Sequence, residues 1–307
     1  EFDRQELCTL IYYPSEKMTM LAETGKIDAD WYSMTLNHLI MLARLLSQKY
    51  TRSKVRKALP KDYAYIIDEL LHAQKNEDTN KISYHKHILQ TIIDLEDADE
   101  FIIALSALIK RLAVDHLHIV GDIFDRGGNA DKIIDLLLDY HSLDIEWGNH
   151  DILWMGAVCG NDACICNVIR NNLKYGNVEI LENAYGISLR PLILFGMSKY
   201  GIKDGIQAAL AAIKVILFKL EGQLIKRHPE YGMNDRLLLE HIDKEKGIVK
   251  IDGKEAVLKT TLFPTLDINN PYELTEEENE IVLKLHRSFV SGQRLNKHIR
   301  FLYDKGS

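Results

Sequence analysis

Apolar positions in the first third of the chain, residues 1–113, recur at the spacing of helices. The segment over 30–59 carries Leu36, Leu39 and Ile40 on one predicted helical face. Comparable stripes follow it up to the end of the region. The pattern therefore predicts an almost wholly helical first region.

The pattern changes in the central region, residues 114–175. A short apolar run over 114–120 predicts a buried strand, 129–140 predicts a helix and 143–147 a second strand. Two further helices are expected between 152 and 175. A strand, helix and strand in this order are typical of an α/β fold with neighbouring strands joined by a crossover helix.

The last region, residues 176–307, is predicted to be mostly helical with a short hairpin. Strong helical patterns cover 206–225 and 275–302, the second preceded by a capping-box sequence. The dipeptide Asp252-Gly253 between short alternating pieces is typical of a hairpin turn. The fold class predicted from the pattern is thus a small α/β unit inside a largely helical chain.

Two polar motifs follow the two predicted strands. The first is GDIFDRG at 121–127, and the second is GNHD at 148–151. Open α/β sheets place their ligands at the carboxyl ends of neighbouring strands. Asp122 and Asn149 offer the oxygen atoms that hard divalent cations prefer, and one bridging carboxylate can hold two such ions.

The remaining polar residues of the motifs suit phosphoryl chemistry. His150 can ligate a metal or deliver a proton, and Asp125 can orient it and favour its protonated form. Arg126 offers a planar fork for two phosphate oxygens. Each motif alone is more often a surface salt bridge or a polar turn, but the two together in this order indicate a metal-dependent phosphatase.

Composition narrows the class of protein. The formal net charge is −7 and 46% of residues are hydrophobic, which argues against a general nucleic-acid or membrane-surface binder. The chain has four cysteines and no apolar run of membrane-spanning length. We therefore expect a cytoplasmic protein with no nucleic-acid or membrane partner.

The motifs and the sequence around them resemble those of a known family. GDIFDRG, GNHD and the surrounding blocks 50–71, 98–127 and 137–160 are similar to class III fructose-1,6-bisphosphatases, a bacterial type of calcineurin-like metallophosphoesterase. The resemblance implies a calcineurin-like βαβ core with large helical additions. One small departure is Gly128, where the family commonly has proline after the DRG sequence.

The resemblance also implies roles for the motif residues. Asp122 would bridge two metal ions and Asn149 would ligate one of them. His150 would protonate the leaving oxygen, Asp125 would support His150, and Arg126 would bind the phosphate. The implied reaction hydrolyses fructose 1,6-bisphosphate to fructose 6-phosphate and phosphate in gluconeogenesis, with Mn²⁺ as the usual metal.

Part of the superfamily's site is not found in this sequence. An Asp-x-His block should precede the first residue, and later histidine blocks should follow the last one. The resemblance therefore leads us to expect a middle portion of the enzyme, with an incomplete core and no activity of its own.

Other interpretations stay open. The chain can belong to another calcineurin-like phosphatase, acting on phosphoproteins or nucleotides, or it can be a non-catalytic scaffold or assembly fragment. The basic run Arg52, Lys54, Arg56 and Lys57 fits either an anionic metabolite effector or the solvated face of a helix. The resemblance also leaves room for a homo-oligomer.

Overall fold

The computed structural model describes residues 3–72, 79–251 and 253–306. The chain forms two compact units, Glu1–Leu117 and His118–Ser307. The sequence-based division at residues 113 and 175 stays a prediction. The fold is mixed α/β and mostly helical, as expected.

Within the described residues, the elements that lie wholly in the first unit are all helices, as its apolar pattern predicts. Its core lies where α3 packs on α7, and Leu36, Leu39 and Phe101 are fully buried there. The helices are α1 (Arg4–Tyr12), α2 (Pro14–Glu23), α3 (Ala29–Ser47), α4 (Arg52–Ala58), α5 (Ala64–Leu71), α6 (Thr79–Asp94) and α7 (Ala98–Ala113).

Two boundaries in this unit differ from the prediction. The segment 30–59 is two helices: α3 ends at Ser47, and Thr51 then caps α4, its hydroxyl accepting from the Lys54 amide at 3.4 Å. The polar loop expected over 75–81 lies partly outside the described residues, and α6 already begins at Thr79.

The basic run on α4 faces carboxylates of its own unit. The Arg56 guanidinium lies 3.1 Å and that of Arg52 3.8 Å from Asp68, while Lys54 lies 2.5 Å from Asp115. These contacts neutralise part of the run. A metabolite effector at this position stays a prediction.

The strand, helix and strand of the central region lie in the second unit, except for Leu117, the first residue of the first strand. Strands β1 (Leu117–Ile119) and β2 (Leu143–Ile145) pair, with the Glu146 amide donating to the Ile119 carbonyl at 2.8 Å, and α8 (Ala130–Leu138) connects them. Both strands are shorter than predicted. The prediction of a buried first strand is wrong: β1 is half-exposed and Val120 beside it is 78% exposed, because apolar content does not show which strand face is covered.

Helices and a small antiparallel sheet complete this unit. Helix α9 (Asn149–Val158) and helix α10 (Asp162–Tyr175) confirm the predicted pair. They are followed by α11 (Arg190–Tyr200), α12 (Gly205–Arg227), α13 (Glu276–Ser291) and α14 (Gln293–Lys305), and by β3 (Ile242–Asp243), β4 (Ile248–Ile251) and β5 (Lys254–Val257). The hairpin of β4 and β5 is confirmed and β3 adds a strand to it; Asp252 lies outside the described residues.

The helix predicted over 275–302 is two helices separated at Gly292. The predicted capping box is confirmed: the Thr275 hydroxyl accepts from the Glu278 amide, and the Glu278 carboxylate accepts from the Thr275 amide. That carboxylate also meets the Lys219 ammonium at 2.7 Å, both side chains being fully buried. The pair joins α12 to the start of α13.

Across residues 3–72, 79–251 and 253–306, we find no helix with the length and apolar character required to cross a bilayer.

A hydrogen-bond chain centred on the buried His298 joins α8 to α14. The Tyr185 hydroxyl lies 3.1 Å from His298 Nδ1, and His298 Nε2 lies 2.9 Å from Asp135 Oδ1. Arg294 lies 2.6 Å from the other oxygen of Asp135 and 3.1 Å from Asp131. Only 1% of the His298 side chain is exposed, so the ring is enclosed by these groups.

This arrangement predicts a pH dependence of stability. Burial lowers the pKa of His298, and its hydrogen bond to Asp135 opposes that shift. The unfolded chain then binds the proton more tightly, so the free energy of unfolding should fall as the pH drops from about 6.5 towards the lower folded value. Urea unfolding above and below this pH should show the slope, and His298→Gln should reduce it. An unchanged slope in the variant would contradict the assignment.

Candidate functional site

The two motif turns pack directly against each other. A Cβ added at Gly148 would lie 2.1 Å from Asp122 Oδ1, and one added at Gly121 would lie 2.5 Å from the Gly148 amide nitrogen. Gly121 also has φ of +87°, a conformation that glycine adopts without steric cost. Both glycines are therefore required for the turns after β1 and β2 to meet.

Asp122 is held in an unusual backbone conformation at this contact. Its φ is +53°, in the left-handed region that costs a non-glycine residue about 1–3 kcal/mol. The His150 amide donates to its Oδ1 at 3.1 Å, and the Asp125 amide donates to its carbonyl at 3.2 Å. The strained residue thus links the first turn to the start of α9.

The Asp151 carboxylate is hydrogen-bonded to both turns. Its side chain is fully buried, with Oδ1 accepting from the Phe124 amide at 3.1 Å and Oδ2 from the Gly148 amide at 3.0 Å. Burial raises its pKa, and backbone donors including the Asp122 amide oppose that shift. Because each oxygen accepts from a backbone amide, this geometry fits the ionised carboxylate.

The side chains of His150 and Asp125 are in contact with each other. His150 Nε2 lies 2.9 Å from Asp125 Oδ1, with 20% and 34% of the two side chains exposed. The two atoms are within ion-pair distance without the alignment of a hydrogen bond. Contact through Nε2 leaves Nδ1 as the ring nitrogen that can face a ligand.

Arg126 lies at the outer edge of the same site. Its Nε is 3.5 Å from Asp125 Oδ1, and 66% of its side chain is exposed. Its guanidinium carbon lies 5.0 Å from the centre of the Tyr175 ring, and Asn177 donates to its carbonyl at 2.6 Å. The end of α10 therefore positions this arginine.

An aromatic cluster supports the first turn. The Phe124 ring stacks on Trp154 with 4.4 Å between centroids, and Trp154 lies 5.6 Å from Tyr185. Phe124 is 4% and Trp154 2% exposed. The apolar member of the GDIFDRG motif thus anchors its charged members to the core.

The structure brings the predicted site residues together, but it does not complete a metal site. Asp122 and Asn149 are exposed on adjacent turns, and their oxygen atoms suit Mn²⁺ or Mg²⁺. Among the residues described, no group of three or more His, Cys, Asp or Glu side chains could hold a metal ion. Asp122 and Asn149 can therefore supply two metal ligands, but the described residues do not supply a complete set.

Comparison with known families decides the relationship. The family described as Firmicute fructose-1,6-bisphosphatase matches residues 1–307. The chain belongs to this family. The resemblance inferred from the motifs and their flanking blocks is confirmed.

Curated members of the family align along nearly the whole chain. The class 3 fructose-1,6-bisphosphatase 1 of Clostridium beijerinckii is 51% identical over 99% of the chain, and that of Listeria innocua 52% over 98%. The class 3 enzyme of Bacteroides thetaiotaomicron is 49% identical over 100% of it. No solved structure matches the chain significantly.

The alignments also correct the expected extent of the resemblance. The chain spans about half the length of these relatives, 49% in each case. The family match covers residues 1–307, and the alignment with the Clostridium beijerinckii relative covers 99% of this chain. The interpretation of the chain as a middle portion is therefore withdrawn.

Sequence reasoning missed two residues that shape the site. In the sequence Asp151 is only the last letter of GNHD, although its place three residues after Gly148 is the N3 position of α9, where a carboxylate can accept from the N-cap amide. Tyr175 was seen only as the end of a helix. Its contact with Arg126 spans 49 residues of sequence and leaves no local signal.

Proposed function

We propose that the chain carries part of the active site of a metal-dependent phosphomonoesterase. The observation that supports this is the meeting of His150 with Asp125 at 2.9 Å beside Asp122, with Arg126 next to them. A proton donor, an orienting carboxylate, a ligand carboxylate and a phosphate-binding fork are the groups that this reaction requires. The proposed fold around them is the calcineurin-like βαβ core.

In this proposal each residue of the candidate site has one role. Arg126 binds and orients the phosphate through paired hydrogen bonds. Asp125 holds the imidazole through Nε2, so that Nδ1 of His150 delivers the proton to the leaving oxygen. Phe124 and the buried Asp151 keep these groups in place.

The metal would be held in part by Asp122 and Asn149. When bound, a divalent ion, with Mn²⁺ as our proposal, neutralises phosphate charge and activates water for attack on phosphorus. The described residues do not complete its ligand set. We therefore propose that this chain alone does not turn over substrate.

The substrate proposal is fructose 1,6-bisphosphate, hydrolysed to fructose 6-phosphate and phosphate in gluconeogenesis by the full-length protein. It rests on the names of relatives that are 48 to 52% identical. The geometry itself supports only a phosphomonoester. A cytoplasmic location is proposed on the small number of cysteines, and a homo-oligomeric state on the same resemblance.

The full-length protein should release phosphate from fructose 1,6-bisphosphate in the presence of Mn²⁺, and lose this activity when the metal is chelated. The measurement is phosphate release from the sugar and from a phosphopeptide in competition, with this chain assayed beside the full-length protein. Faster release from the phosphopeptide would favour another calcineurin-like phosphatase. No release from either substrate would favour the scaffold interpretation and refute the proposed function.

A further inference from the structure

Two cationic side chains lie over one tyrosine at the edge of the site. The Arg126 guanidinium carbon is 5.0 Å and the Lys174 ammonium nitrogen 5.1 Å from the centre of the Tyr175 ring. The two charged groups are therefore within about 10 Å of each other. Tyr175 is 39% exposed, and Arg126 and Lys174 are exposed as well, so this group of three residues is open to solvent.

The carboxylates near this pair do not balance both charges. Arg126 faces Asp125 at 3.5 Å. Lys174 is exposed, and it makes no ion pair with any carboxylate within the described part of the chain. A lysine in the last turn of α10 also suits the helix dipole, but the dipole does not account for its position over the ring that Arg126 also contacts.

The backbone around the pair is fixed and uncrowded. The Asn177 side chain donates to the Arg126 carbonyl at 2.6 Å, which ties the loop after Asp125 to the end of α10. A Cβ added at Gly127 would meet no atom within 4 Å. The space beside Gly127, the residue that follows Arg126, therefore holds no protein atoms, and 66% of the Arg126 side chain is itself exposed.

We propose that Lys174 is a second phosphate-binding residue, placed over the Tyr175 ring that Arg126 also contacts, where it receives the distal phosphate of a doubly phosphorylated substrate. The inference rests on the proposed function, in which Arg126 binds the reacting phosphate. The two cations lie at most about 10 Å apart, a range that the two phosphates of a six-carbon sugar bisphosphate can span. Lys174 would then distinguish bisphosphates from monophosphates.

The test compares two substrates in the full-length protein. Lys174→Gln should raise KM for fructose 1,6-bisphosphate roughly tenfold to a hundredfold, the effect of losing a charged hydrogen-bond donor, with little change in kcat. KM for p-nitrophenyl phosphate, which has one phosphate, should not change. Lys174→Arg should restore most of the affinity, and Tyr175→Leu should weaken it more than Tyr175→Phe.

A matched control is Lys203→Gln, which removes another exposed lysine of the same unit and should leave both KM values at the wild-type level. An equal change for both substrates, or no change for the bisphosphate, would overturn the role of Lys174. Failure of the wild-type protein to hydrolyse fructose 1,6-bisphosphate would instead refute the proposed function. The two failures are therefore separable.

Discussion

His150→Ala should lower kcat of the full-length protein on fructose 1,6-bisphosphate by ~10²–10⁴-fold, the usual contribution of a positioned general acid. The reason is geometric. His150 lies on the first turn of α9, where its backbone amide donates to Asp122 and its Nε2 lies 2.9 Å from Asp125. In the proposed mechanism its Nδ1 is the proton donor, and we assign that task to no other described side chain of the site. KM should change little, because the proton is transferred in the transition state.

The leaving group provides a sharper check of this role. Departure of p-nitrophenolate needs less protonation than departure of a sugar alkoxide, so His150→Ala should cost much less rate on p-nitrophenyl phosphate. His141→Ala, at an exposed histidine of the same unit, is the matched control and should keep wild-type rates. Equal losses on both substrates would show that His150 acts through binding or structure and not as an acid.

The candidate site could be predicted from sequence because its residues lie in two contiguous motifs. Asp122, Asp125 and Arg126 fall in one turn, and Asn149 and His150 in the next. Apolar runs before each motif place both turns at strand ends, where parallel α/β units bring ligands together. The spacing of residues within the two motifs therefore predicts which side chains of the candidate site lie close together.

Other features depend on contacts that no local pattern records. The break at Gly292 divides a helical stripe that continues on both sides, and periodicity alone does not show where a helix turns. The exposure of β1 depends on what covers the sheet. The position of Lys174 depends on Tyr175 meeting a loop 49 residues earlier.

The role of Asp151 also depends on contacts between segments that are distant in sequence, and its substitution by asparagine should strongly destabilise the protein. Its buried carboxylate accepts from Phe124 of one motif and Gly148 of the other. Asp151→Asn keeps the size of the side chain, but turns one acceptor oxygen into an NH₂ group that faces a backbone N–H. Losing a charge-assisted hydrogen bond and leaving a buried donor unpaired should lower the free energy of unfolding by about 2–5 kcal/mol.

The same change should separate the two turns. Asp122 holds its left-handed backbone conformation only while neighbouring contacts compensate for it, and Asp151 supplies the buried ones. Asp139→Asn, at an exposed aspartate after α8, makes the same chemical change and should alter stability by less than about 0.5 kcal/mol. Urea unfolding of both variants measures the difference, and NMR shifts of the His150 ring report the turn. A stable Asp151→Asn protein with wild-type His150 shifts would show that Asp151 does not hold the motifs together, because the asparagine could not pair with both amides.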